Sequence, residues 1–94
     1  MEISDVKIRR LYLDGRLRAI VSVTFGDCFV VHDIKIISIA ERTFVAMPSR
    51  RDETGTFRDI VHPINVQARQ TLEEAILNAY DNALRLFHTE PEQR

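Results

Sequence analysis

The sequence predicts an α+β fold: an antiparallel sheet of four or five strands with a C-terminal helix packed on it, associated as a dimer. Three observations predict it. Leu17, Ala19, Val21, Val23 and Phe25 alternate with Arg16, Arg18, Ser22 and Thr24, the period of a strand with one buried face. Turn signals at Asp14-Gly15 and Gly26-Asp27 bracket that run, so its neighbours fold back antiparallel. Ala68, Leu72, Ala75, Ile76, Ala79, Tyr80, Ala83, Leu84 and Phe87 recur at helical spacing, a stripe wide enough to seat a helix on a sheet.

Each element follows in order. Val6, Ile8 and Tyr12 mix with charge in a first strand over Met1 to about Tyr12, and Asp14-Gly15 predicts a tight two-residue hairpin turn. The second strand is Leu17–Phe25, with Ile20 as the one large apolar residue on its polar face. The third, Cys28 to about Ile39, is dense in Val and Ile on both faces, as in strands covered on both sides. Ala40-Glu41-Arg42 turns the chain, Thr43–Met47 makes a fourth strand, and Pro48 ends it, because proline cannot donate to the ladder. Residues 49–56 read as a polar loop turning at Gly55, and Phe57–Val61 as a short fifth strand. His62-Pro63 breaks the extended pattern, Asn65 is an N-cap, and one helix is expected from about Val66 to Phe87. The capping-box spacing of Thr71 and Glu74 leaves open a break near Gln70. Residues 1–88 form one domain, and 89–94, with Pro91, a frayed tail.

Composition narrows the function classes. A 94-residue chain with 45% hydrophobic and 29% charged residues is one small globular domain. No apolar run is long enough for a membrane span and no signal peptide is visible at the N-terminus. The single cysteine, Cys28, fits a reducing, cytoplasmic location. Net charge is −1, yet residues 1–51 carry nine Lys or Arg against six Asp or Glu, and 52–94 four against eight. That asymmetry leaves room for a basic patch.

Enzymatic chemistry finds no support. His32 and Asp33 are adjacent in a strand, so their side chains point to opposite faces. Asp59 and His62 sit around a strand end, where a local hydrogen bond is the simpler role. No serine or cysteine occupies a nucleophile motif, and Cys28 reads as a small apolar filler. Histidines 32, 62 and 88 lack metal-ligand spacing, and three scattered glycines make no phosphate loop. No cofactor is expected.

Arginine is the residue that stands out. Arg50 and Arg51 lie in the loop, with Arg58 on its far side and Arg69 in the first turns of the helix. A second group, Arg9, Arg10, Arg16 and Arg18, surrounds the first hairpin and converges if the first two strands pair. The planar fork of arginine grips phosphate or a guanine edge through two hydrogen bonds. Against this, Asp52-Glu53 follow Arg50-Arg51 at once and would neutralise them on a solvated loop, and the helix is acidic at Glu73, Glu74 and Asp81.

Four blocks in order carry a resemblance: DGR-x-RAI at Asp14–Ile20, FVVHDI at Phe29–Ile34, FVAMPS-R at Phe44–Arg50 and FRDI-x-HPIN at Phe57–Asn65. In combination they resemble the bacterial stage V sporulation protein G (SpoVG) family of septation proteins, over about Met1 to Tyr80. The resemblance implies a homodimer that binds DNA, and in some members RNA, as a regulator of division, sporulation and other global programmes. By position Arg50 and Arg51 resemble the family's basic pair after Pro-Ser, and Arg58 and Arg69 resemble basic or polar positions nearby. The other reading is a protein–protein interaction module of the division or regulatory machinery, recruiting its partner by strand addition or helix docking.

Overall fold

The computed structural model describes residues 2–89. Four strands, β1 (Ile3–Leu11), β2 (Leu17–Phe25), β3 (Phe29–Ile39) and β4 (Arg42–Ala46), pair in sequence order as an antiparallel meander. A two-stranded ribbon follows, β5 (Ser49–Arg51) with β6 (Phe57–Asp59), and then the helix α1 (Val66–Thr89). The α+β class and the C-terminal helix are as the sequence predicts.

One face of the sheet is the core. Ala19, Val21 and Val23 of β2, Ile34 and Ile36 of β3, Val45 of β4, and Leu72, Ile76 and Tyr80 of α1 are buried together. Leu72, Ile76 and Tyr80 recur every four residues, so one stripe of α1 meets the sheet. Each fully buried Ile or Val contributes on the order of 1.5–3 kcal/mol through removal from water. The cap is as expected: Asn65 Oδ1 accepts from the Ala68 N–H at 2.7 Å. The helix is unbroken, because the Thr71 hydroxyl bonds back to the Gln67 carbonyl at 3.0 Å instead of capping a new segment. It continues to Thr89, two residues beyond the expected end; the rest of the expected tail, 90–94, lies outside the described residues.

Local expectations are corrected. The turn at Asp14-Gly15 is not a two-residue hairpin: only Gly15 has positive φ (84°), and the loop closes where the Tyr12 N–H meets the Arg18 carbonyl at 2.9 Å. Left-handed pairs stand instead at Gly26-Asp27 (φ 57° and 53°) and at Ala40-Glu41 (φ 51° and 67°). Cys28 is exposed, not an apolar filler; β3 begins one residue later.

The two-faced look of β3 has a cause the pattern concealed. Asp33 adopts φ 64°, and the pairing with β2 shifts between Val21 and Val23. This β-bulge reverses the alternation, so Val31 before it and Ile34 and Ile36 after it share the core side. His32 and Asp33 therefore do not follow the simple opposite-face rule.

The fifth strand is also different. Phe57–Asp59 does not join the main sheet but pairs with Ser49–Arg51, inside the segment expected to be a loop. Pro48 ends the main ladder, and a hydrogen-bonded turn from Asp52 to Thr56 folds the chain back. The ribbon contacts no other strand and not the helix, and all six of its residues are exposed.

Candidate nucleic-acid interface

The ribbon presents its arginines in an order set by register. Ser49 faces Asp59, Arg50 faces Arg58, and Arg51 faces Phe57. Directly opposed side chains share a face, so Arg50 and Arg58 stand together on one side and Arg51 with Phe57 on the other. The Arg51 guanidinium carbon lies 5.1 Å from the Phe57 ring centroid, a cation–π contact worth about 0.5–1 kcal/mol at an exposed site. The contact uses none of the guanidinium donors.

Asp52 organises the tip. Its Oδ1 accepts from the Thr54 N–H (2.9 Å), the Thr54 hydroxyl (2.7 Å) and the Thr56 N–H (3.0 Å), and its Oδ2 takes Arg58 Nε at 2.7 Å. The Thr54 hydroxyl first, then Arg58 and the Thr56 N–H, push its pKa down from 3.8 to about 2. The acid therefore neutralises Arg58 rather than the adjacent pair, contrary to the expectation. Among the described residues, Arg50 and Arg51 have no carboxylate at ion-pair distance. Arg69 lies one turn into α1, 3.9 Å from Glu73, a loose exposed pair of small energetic weight.

The arginines of the first hairpin separate into different roles. Arg10 faces Ile20 and is exposed. Arg9 Nε donates to the buried Ser22 hydroxyl at 3.1 Å, and the same hydroxyl is hydrogen-bonded to His32 Nδ1 at 2.8 Å. Arg16 is exposed in the loop, where its carbonyl accepts from the Ser38 N–H. Arg18 is half-buried: one terminal nitrogen donates to the Leu13 carbonyl at 2.9 Å, and its Nε is buried without a partner. That bond ties the loop to the start of β2.

Other groups fill in the picture. His62 Nδ1 donates to the Pro63 carbonyl at 2.9 Å, so it braces the helix entry and not Asp59. Among the described residues, no three His, Cys, Asp or Glu gather as a metal site, and no helix is long and apolar enough to cross a membrane. An open apolar groove of about 480 Å³ runs between the sheet and the first turns of α1, lined by Phe25, Phe29, Val31, Met47 and Leu72 among others. Asp52's multiple bonds and the ribbon itself were missed by sequence reasoning; the Asp-x-Thr-x-Thr spacing ending in Phe-Arg is the signal that carried them.

Comparison with known proteins completes the picture. Residues 1–82 match the family model SpoVG. The chain is 52% identical over 84 residues to the "Putative septation protein SpoVG" of Heliobacterium modesticaldum, covering 89% of this chain and 94% of that one. The protein of the same name from Clostridioides difficile is 54% identical over 84 residues, covering 89% and 91%. That from Desulforudis audaxviator is 55% identical over 82 residues, covering 87% and 93%.

Proposed function

The chain belongs to the SpoVG family, and from that premise we propose that it is a non-enzymatic regulator tied to septation, acting in the cytoplasm as a nucleic-acid-binding dimer. Arg50 and Arg51 supply the principal phosphate or guanine contacts, and Arg58 and Arg69 extend the patch. The observation that carries this reading is that Arg50 and Arg51 stand, with no carboxylate at ion-pair distance among the described residues, on a ribbon that pairs with no other strand. A two-stranded ribbon also has the dimensions of the DNA major groove. Arg50→Ala with Arg51→Ala is expected to lower affinity about tenfold or more, from two lost charge-assisted contacts, with the circular dichroism spectrum unchanged. Wild-type affinity in that double variant removes the ribbon from the mechanism.

Dimerisation has its own support. The groove beside Phe25 and Phe29 is apolar and open, while Leu86 near the far end of α1 is 69% exposed. Exchange of helix ends between two copies would cover both surfaces.

The second reading, a docking module for a division or regulatory protein, is favoured by apolar exposure at the ribbon base. Ile60 is 64% exposed, Ile64 87% and Val66 70%. Salt separates the two readings, since phosphate contacts weaken as salt rises and apolar docking changes little.

A further inference from the structure

The main sheet has a second face, turned away from α1, and charge segregates onto it. Register places Lys7 opposite Ser22, Arg10 opposite Ile20, Ile20 opposite Lys35, and Arg42 opposite Ile39, all on the non-core side. Arg9 joins them through its bond to Ser22. Two acids share the face: Asp5, opposite Thr24, and Asp33, which the bulge places beside His32 opposite Ser22. The helix on the other side carries Glu73, Glu74 and Asp81 against Arg69 and Arg85. Positive charge is therefore concentrated on the sheet face of a chain whose net charge is −1.

The cations on this face alternate with apolar side chains. The row Arg10–Ile20–Lys35–Ala46 crosses all four strands, and Phe44 lies opposite Ile37 next to it, 39% exposed. With strands about 4.8 Å apart, Arg10 and Lys35 stand about 10 Å apart across the row. An acidic protein surface would be matched by charge alone and leaves an exposed phenyl ring between cations without a purpose. A rigid duplex laid on a flat face reaches few of the cations and none of the apolar residues. A single strand uses both, phosphates on the cations and unstacked bases on the aromatic and aliphatic side chains.

We propose that the uncovered face of the β1–β4 sheet is a second binding surface, for single-stranded nucleic acid, with Lys35, Arg10 and Lys7 on phosphates and Phe44 under a base. It goes beyond the ribbon, which takes the duplex or the groove edge, and it gives the protein two surfaces with different strand preferences.

The test compares a short mixed-sequence single-stranded RNA with a mixed duplex DNA by fluorescence anisotropy. Lys35→Gln removes one phosphate contact and Phe44→Leu removes the stacking ring while keeping apolar bulk. Each is expected to lower single-strand affinity about fivefold or more and duplex affinity less than twofold, with Lys35→Gln also reducing the single-strand salt slope by about one. Arg50→Ala with Arg51→Ala is expected to show the opposite preference. Wild-type single-strand affinity in both sheet-face variants overturns the proposal and leaves the ribbon reading untouched. Wild-type duplex affinity in the arginine double variant removes the ribbon and leaves the sheet face standing. Binding of a polyglutamate peptide in place of the RNA, sensitive to Lys35→Gln, also overturns the proposal by assigning the face to an acidic protein.

Discussion

Asp52 controls both the shape and the charge of the ribbon. Its pKa is held near 2 by the Thr54 hydroxyl, Arg58 and the Thr56 N–H. A depressed carboxyl stabilises the fold when ionised, so its contribution is present above the ordinary value of 3.8 and is lost as pH falls through about 2. The Thr54 and Thr56 amide shifts in NMR are expected to titrate with a midpoint near 2, well below an ordinary aspartate; a midpoint at the ordinary value would mean the network does not form in solution. Asp52→Asn keeps an acceptor at Oδ1 but ends the ion pair with Arg58. That variant is expected to bind duplex DNA severalfold more tightly at low salt, because one more arginine is released. Weaker binding in anisotropy would show that tip order matters more than charge. None of this was legible from the sequence, where Asp52 and Glu53 read as neutralising Arg50 and Arg51. Proximity in the chain favoured the neighbours, and the hairpin favours the residue across the strand.

The second strand and the helix were legible because each obeys one period. Leu72, Ile76 and Tyr80 fell on the predicted stripe, and Asn65 capped the helix it precedes. Asn65→Ala is expected to cost about 1 kcal/mol, as lost caps do, and Ile76→Ala about 2–5 kcal/mol through the cavity it leaves, both measured by urea denaturation. Values near zero would place α1 off the core. What hid the rest was interruption of period. The Asp33 bulge switches β3 from one parity to the other, so a one-sided strand looked two-sided. Apart from Phe57, the ribbon is made from polar and charged residues, and its pairing comes from the Asp52 turn rather than from pattern. Ala40 and Glu41 form a left-handed turn without a glycine or asparagine, at a strain on the order of 1 kcal/mol each. Glu41→Gly is accordingly expected to raise stability by roughly that much; a loss of stability in denaturant would mean the Glu41 side chain makes a contribution that offsets its backbone.

At the scale of the whole molecule there are three surfaces: an arginine ribbon, a basic sheet face and an open apolar groove. Light scattering at micromolar concentration is expected to give about twice the 10.9 kDa chain mass; a monomer would leave the groove and Leu86 without the occupant assigned to them. The resemblance that ran through the four motif blocks extends to residue 82 in the family match, so the ribbon and the sheet lie inside the shared region while the last turns of α1 lie beyond it. The most direct measurement is fluorescence anisotropy of the wild-type protein on mixed duplex DNA across a salt series. The account predicts saturable binding whose logarithm falls steeply with the logarithm of salt, with a slope of about −2 or steeper for the Arg50 and Arg51 contacts of each copy. No binding at low salt, or an affinity that salt leaves unchanged, would contradict it and put protein docking in its place.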